Sequence, residues 1–220
     1  MIRAIVRLFL LLLSLFSRLL ALAIIWHTLV RVVRYFYKFP MPHQLANLID
    51  NPMRRKIQPP GLMPMRHGIE PGMKVLEVGP GNGTYTVETA SWVGNDGGVV
   101  AIDIEPSAIE RVEARAQAEG LENIQARVAD VIGLPFDDGT FDAVTMMSVI
   151  GELPSPQLAL MEFHRVLKPA GLLSFSELLL DPDYPLARTV IALATDAGFR
   201  LKTQEGNFFC YTLVFEKVSW

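Results

Sequence analysis

The chain has a single cysteine, Cys210, among its 220 residues. One thiol cannot form an intramolecular disulfide, and no group of Cys and His residues has the spacing of a zinc site. The sequence therefore excludes a small scaffold held by disulfides and predicts no metal ligands. Internal repeats and low-complexity tracts are also absent from the sequence.

Acidic residues are almost missing from the first quarter of the chain. Residues 1–56 contain nine of the 20 Lys and Arg residues but only one of the 23 acidic residues, Asp50. The remaining chain then holds 11 basic and 22 acidic residues. An acidic body argues against a nucleic-acid substrate. A basic arm beside an apolar segment favours anionic lipid headgroups.

That apolar segment runs from Leu8 to Val30 and, as a helix, is long enough to cross about 30 Å of hydrocarbon. Arg3 and Arg7 before it, with the small residues 21–23, also fit a cleaved signal peptide. Positive charge after the segment would keep a spanning helix's C-terminal side cytoplasmic. Arg18 near the bilayer centre would cost at least about 2.5 kcal/mol, which favours a helix lying in the interface. We expect residues 1–38 to form a membrane-associating helix, with spanning and interfacial placements both open.

A short glycine-rich run follows an apolar strand at residues 75–83, Val-Leu-Glu-Val-Gly-Pro-Gly-Asn-Gly. A strand, a glycine turn and a helix start form a corner where a nucleotide can approach the backbone. A dinucleotide site requires Gly-x-Gly-x-x-Gly, but here Thr84 occupies the position of the third glycine. The glycines are Gly79, Gly81 and Gly83 instead, and the acid Glu77 precedes them by two positions.

This run resembles the first motif of the class I S-adenosylmethionine (SAM)-dependent methyltransferases, Glu/Asp-x-Gly-x-Gly-x-Gly. Further segments follow in the order of that family, and the resemblance to its ubiquinone–menaquinone type covers roughly residues 66–218. Ala170 replaces a glycine in the family's usual Pro-Gly-Gly turn. The matching segments are the strand ending at Asp103, the strand before Asp130, residues 134–144 and residues 162–171.

The resemblance implies an α/β, Rossmann-like fold with seven strands in a mainly parallel sheet. An antiparallel hairpin closes the chain at its C-terminus, and the apolar helix lies at its N-terminus. We predict three parts: the membrane-associating helix at 1–38, a basic, proline-rich linker or lid at 39–65, and the SAM-binding domain at 66–220.

SAM is the cofactor that the resemblance implies, and its contacts are carried over residue by residue. The predicted cofactor-binding residues are Glu77, Gly79, Pro80, Gly81, Gly83, Asp103, Ile104, Asp130, Val131 and Ser148. Glu77 would receive the amino group of the methionine part, and Asp103 the ribose hydroxyls. Asp130 and Val131 would bracket the adenine.

The substrate-side candidates carry less sequence information. Tyr85, Glu152 and Glu177 are the predicted catalytic residues, although each has an ordinary interpretation as a solvated or core side chain. Arg54, Arg55 and Lys56 would hold a phosphate or an anionic headgroup, or form a solvated basic turn.

The resulting hypothesis is a membrane-associated, SAM-dependent methyltransferase of class EC 2.1.1 with a cytoplasmic catalytic domain. Its acceptor would be lipid-soluble, a phospholipid headgroup or a quinone or prenyl lipid, and its partner the lipid bilayer rather than nucleic acid. Two alternatives stay open: a membrane-anchored methyltransferase of a protein or small molecule, and a non-catalytic SAM-binding assembly subunit. The sequence leaves the methylated atom and the oligomeric state open.

Overall fold

The computed structural model describes residues 2–37 and 50–218, and the chain divides into two units, residues 1–38 and 39–220. The first unit is one uninterrupted helix, α1 (Ile2–Phe36). Its stretch Phe9–Arg34 has a mean hydropathy of 2.3 and is exposed, and by length and composition alone it could cross a membrane. Leucine and alanine favour the helix and no proline interrupts it. The predicted N-terminal helix is confirmed.

The second unit is built on a seven-stranded sheet in the order β3-β2-β1-β4-β5-β7-β6. Strands β1 to β5 pair in parallel, whereas β7 is antiparallel to both β5 and β6. This confirms the predicted fold class, including the closing hairpin. The strands are β1 (Lys74–Val78), β2 (Gly98–Asp103), β3 (Ile124–Val128), β4 (Phe141–Met147), β5 (Leu167–Leu178), β6 (Phe199–Gly206) and β7 (Cys210–Lys217).

Helices connect the strands and precede the sheet. The described part of the linker contains α2 (Pro52–Ile57), a 3-10 turn (Pro60–Leu62) and α3 (Met63–Arg66). The crossovers contain α4 (Thr84–Val93), α5 (Pro106–Glu119), α6 (Pro156–Val166) and α7 (Ala187–Asp196). The Asn51 side chain caps α2 by accepting from the N–H groups of Met53 and Arg54. Residues 39–49 of the predicted linker lie outside the described residues.

The central strands are apolar on both sides because both faces of the sheet are covered. Successive residues of β1 point to opposite faces, so Val75 belongs to one core cluster and Leu76 to the other. The larger cluster includes Phe163 of α6 and Phe215 of β7. The chain leaves β1 towards β2 and returns to β4 on the other side. This reversal opens a crevice at the carboxyl ends of the strands, where ligands bind in open α/β sheets.

Candidate active site

A cavity of about 360 Å³ occupies that crevice. Its wall is formed by the segments that follow β1, β2, β3, β4 and β5, with α2 as a cover. The sheet topology therefore brings together side chains from five separate parts of the sequence.

The glycine turn after β1 forms the floor of the cavity. Gly79 and Gly81 have φ values of +69° and +60°, which L side chains rarely adopt. A Cβ atom on Gly79 would lie 2.5 Å from Cγ2 of Val149, whereas a Cβ on Gly81 would meet nothing within 4 Å. Gly79 is thus required by packing, and Gly81 leaves open space against which a ligand can lie. Pro80 also lines the cavity, whereas Gly83 packs against Val112 of α5.

Glu77 places a buried carboxyl group at the end of β1, in the wall of the cavity. Its Oε2 atom has no hydrogen-bond partner among the described residues. Burial raises the pKa of this carboxyl to about 7, and the nearby Thr86 hydroxyl opposes that rise only in part. A buried oxygen without a partner is costly unless a ligand supplies one. The ammonium group of SAM is such a partner.

The residues predicted for ribose and adenine lie together at one end of the cavity. Asp103, Ile104, Asp130 and Val131 all line it. The Oδ1 atom of Asp103 accepts a hydrogen bond from the N–H of Glu105 at 2.9 Å, which fixes the carboxylate at the end of β2. Burial also raises the pKa of Asp103. These groups have the chemistry that SAM needs, since Asp103 offers a second oxygen to ribose hydroxyls and Ile104 an exposed apolar face.

A polar cluster of Arg54, Ser148 and Asp181 lines the cavity at the ends of β4 and β5. Nη1 of Arg54 donates to Oδ1 of Asp181 at 3.1 Å, and Nη2 donates to Oγ of Ser148 at 2.7 Å. The Ser148 hydroxyl in turn donates to Asp181, from a backbone with φ of +59°. The Arg54 and Asp181 side chains are only 6% and 15% exposed, so this ion pair is largely removed from water.

Asp50 fastens the start of α2 to the glycine turn. Its carboxylate accepts from Nη2 of Arg55 at 2.7 Å, Nδ2 of Asn82 at 2.7 Å and Oγ1 of Thr84 at 2.5 Å. Burial by itself would raise the pKa of Asp50, but the hydrogen bonds from these three residues hold it well below its usual range. Together with the Arg54–Asp181 pair, this contact holds α2 over the cavity.

The predicted substrate-side residues reach different places. Tyr85 and Glu152 line the cavity, and the Tyr85 hydroxyl donates to the carbonyl of Gln58 at 3.2 Å. Glu177 is buried and is not part of the cavity wall; burial, and then the charge of Asp181, raise its pKa well above the usual range. Within the basic triplet Arg54 is buried, Arg55 pairs with Asp50, and Lys56 is exposed.

Sequence reasoning missed Asp50 and Asp181. Asp50 was visible as the lone acid of a basic segment, but its partners Asn82 and Thr84 are more than 30 positions away. Asp181 follows the carboxyl end of β5, which is a signal in its favour, but its partner Arg54 is 127 positions away. Among the described residues no group of three or more His, Cys, Asp or Glu could hold a metal ion.

Comparison with known proteins identifies the family. A family model described as a methyltransferase domain matches residues 69–199, more than half of the chain. The demethylmenaquinone methyltransferase of Staphylococcus epidermidis is 34% identical over 125 residues, which cover 57% of this chain and 51% of that protein. The ubiquinone/menaquinone biosynthesis C-methyltransferase UbiE of Teredinibacter turnerae is 37% identical over 105 residues, 47% of this chain and 42% of that protein. The chain thus spans about half the length of the curated relatives it matches.

Solved structures share the fold. A SAM-dependent methyltransferase from Aquifex aeolicus superposes with a TM-score of 0.76 at 24% identity, over 81% of this chain and all of that one. The [4+2]-cyclase SpnF superposes with a TM-score of 0.64 at 20% identity, over 73% of this chain and 80% of that one. At such identities the likeness establishes the architecture, while chemistry depends on the site. The family model matches and the glycine motif is complete. The chain therefore belongs to the methyltransferase-domain family, the class I enzymes whose methyl donor is SAM.

Proposed function

We propose that the chain is a membrane-associated methyltransferase that transfers a methyl group from SAM to a lipid-soluble acceptor with a quinol ring. The observation that carries this proposal is the similarity of its SAM-binding core to demethylmenaquinone methyltransferases, in a chain that also carries the exposed apolar helix α1. We further propose that α1 keeps the catalytic domain at the cytoplasmic face of a bilayer.

The proposed SAM site uses groups whose chemistry matches each part of the molecule. Glu77 would accept the ammonium group, Asp103 the ribose hydroxyls, and Asp130 with Val131 the adenine. The backbone of the glycine turn would lie against the methionine part, with Ile104 beside the adenine and Ser148 facing the reacting end. When bound, SAM supplies a methyl group on a positively charged sulfur, and S-adenosylhomocysteine remains after transfer.

The polar cluster of Arg54, Ser148 and Asp181 is the proposed place for the acceptor's polar ring. Transfer of a methyl group to a hydroxyl oxygen or ring carbon forms one new bond to the acceptor and releases one proton. We assign receipt of that proton to Glu152, a carboxyl group in the cavity wall after β4. Tyr85 also lines the cavity and interacts with Arg54.

Glu177 has a different role in this proposal. Burial, and then the charge of Asp181, raise the pKa of this carboxyl group well above the usual range, which favours the protonated form that can donate a hydrogen bond. It would then support the site from below the cavity wall rather than act as the base.

The ion pairs of the basic triplet favour a quinol over a phosphorylated headgroup. Arg54 and Arg55 each pair with a carboxylate, and Lys56 is the cation of the three for which the described residues show no ion pair. A dianionic phosphate would have to displace Asp181 or Asp50, whereas a neutral quinol hydroxyl can hydrogen-bond to the cluster as it stands.

Methyl-labelled SAM supplied to the full-length protein in vesicles tests the function. The vesicles contain phosphatidylethanolamine and reduced demethylmenaquinone, and lipid, protein and aqueous fractions are then separated. We expect label in the quinone, strongly reduced in Glu152→Gln and absent in Asp103→Asn, which loses the ribose contact. Label in the phospholipid, in protein or in water would contradict the quinol acceptor, and SAM binding without any transfer would favour a non-catalytic subunit.

A further inference from the structure

A group of large apolar side chains is exposed around the acceptor end of the cavity. Leu180, Phe208 and Phe209 are 53%, 59% and 66% exposed, and Met53 is as exposed as Leu180. Ile57 lies one helical turn after Met53 on α2 and is also exposed. We call these five residues the apolar rim. Exposed apolar groups this concentrated mark interaction sites more often than isolated ones do.

The rim is held in place by the backbone. The N–H of Leu179 donates to the carbonyl of Phe209 at 2.7 Å, and the Tyr184 hydroxyl donates to the carbonyl of Phe208. The Asn207 side chain accepts from the N–H of Phe209 at 2.8 Å and so fixes the turn between β6 and β7. These three backbone groups are therefore hydrogen-bonded, while the two aromatic rings, 5.7 Å apart, stay exposed.

The apolar rim lies away from the end of the cavity that is proposed for ribose and adenine. Leu180 precedes Asp181 and Met53 precedes Arg54, so two residues of the rim are chain neighbours of the Arg54–Asp181 pair. The opposite end of the cavity carries Asp103, Glu105 and Asp130. An apolar molecule would therefore approach on the rim side, and a polar nucleotide would lie on the other side.

Positive charge flanks the rim. Lys56 is exposed on α2 between Met53 and Ile57. Cys210 is the residue after Phe209, and burial raises the pKa of its thiol. Arg66 of α3 lies close enough for its positive charge to oppose that rise. Aromatic rings beside Lys and Arg are the composition of protein surfaces that sit at the level of lipid headgroups.

We propose that the apolar rim docks on the lipid bilayer, so that a lipid-soluble acceptor passes from the bilayer into the cavity beside Arg54 and Asp181 without crossing water. This inference rests on the proposed function for its acceptor, but the docking itself can be measured without any catalysis. The rim is the contact surface, and α1 is the tether.

Fluorescence quenching in the full-length protein tests the docking. A polarity-sensitive fluorophore is attached at Phe208→Cys in a Cys210→Ser background, and the protein is reconstituted in vesicles of phosphatidylcholine and phosphatidylglycerol. The matched control carries the label at Met161→Cys, an exposed apolar position on α6 beside Asp138 and Lys217 at the other end of the strands. SAM binding by both labelled proteins shows that they are folded.

We expect spin-labelled lipid to quench the fluorophore at position 208 and not at position 161, and iodide in the water to do the reverse. Equal quenching by lipid at both positions, or none at 208, would overturn the docking. So would lipid quenching at 208 that requires added membrane proteins, since the surface would then be a protein interface.

Kinetics separate a failed docking surface from a failed function. The double variant Phe208→Ser with Phe209→Ser should raise the KM for a vesicle-borne quinol on the order of 10-fold, since it removes two exposed aromatic contacts with lipid. Its KM for a short-chain, water-soluble quinol should stay unchanged. If neither quinol is methylated by the unaltered protein, the proposed acceptor fails while the quenching result still decides the docking.

Discussion

At the scale of single residues, some acidic residues of the site could be predicted from the sequence and others could not. Glu77, Asp103 and Asp130 stand at strand ends next to recognisable segments, and the structure places all three in the cavity wall. Asp50 and Asp181 form their hydrogen bonds with residues far away in the chain, so the local sequence pattern could not identify them as site residues.

Glu77 makes the stability of the protein depend on pH. Its pKa rises from 4.5 to about 7 on folding because the carboxyl is buried. Between these values the folded state keeps a proton that the unfolded state has released, so stability falls as pH rises through this window. The difference corresponds to at most about 3 kcal/mol above pH 7. Burial of this carboxyl group therefore costs stability at high pH, where the group must ionise, and costs none of it at low pH, where both states are protonated.

Denaturant unfolding of the SAM-free protein and of Glu77→Gln, measured from pH 4.5 to 8, tests this coupling. We expect Glu77→Gln to gain stability relative to the unaltered protein as pH rises, by up to about 3 kcal/mol in total. Glu113→Gln, at an exposed position of α5, should change nothing across the same range. A constant difference between Glu77→Gln and the parent protein would show that folding does not shift the pKa of this carboxyl group.

At the scale of elements, the turn from β1 to α4 and the cover formed by α2 make the site together. The glycines of this turn differ in what restricts them. Both glycines line the cavity, but a Cβ on Gly79 would clash with Val149, whereas a Cβ on Gly81 would enter open space. Within one motif, Gly79 is therefore required for packing and Gly81 for ligand binding.

Alanine substitution at the two glycines should separate stability from binding. Gly79→Ala adds a clash with Val149 to backbone strain of about 1–2 kcal/mol, so we expect a clear loss of stability. Gly81→Ala carries the strain alone, but its methyl group would occupy space meant for SAM and should weaken SAM binding at least about 10-fold, or 1.4 kcal/mol. Denaturant unfolding and calorimetric titration measure the two effects. Equal losses of stability with unchanged affinity would contradict the assigned roles.

At the scale of the whole molecule, the chain joins one exposed apolar helix to an α/β domain whose net acidity contrasts with its basic arm. The residues that line the cavity all belong to the second unit. A ligand that binds only the folded domain stabilises it by mass action, without any change in α1.

Thermal unfolding with and without SAM measures that stabilisation. At 100 times its Kd, SAM should add about 2.7 kcal/mol to the free energy of unfolding. For a domain of this size, that corresponds to a rise in Tm of roughly 5–10 °C. Asp103→Asn should show a much smaller rise at the same SAM concentration. An equal rise in both proteins would place the ribose contact elsewhere.

The sequence by itself determined the class of the fold, the glycine turn and the acids that end β1 and β2. These depend on residues that are neighbours in the chain, where strand pattern and turn chemistry act locally. Only the tertiary structure decided that Arg54 pairs with Asp181, that Asp50 binds the glycine turn, and that Glu177 lies outside the cavity wall. It also gathered Leu180, Phe208 and Phe209 at one edge. Contacts between distant segments follow from strand order and packing, and the sequence pattern does not encode them locally.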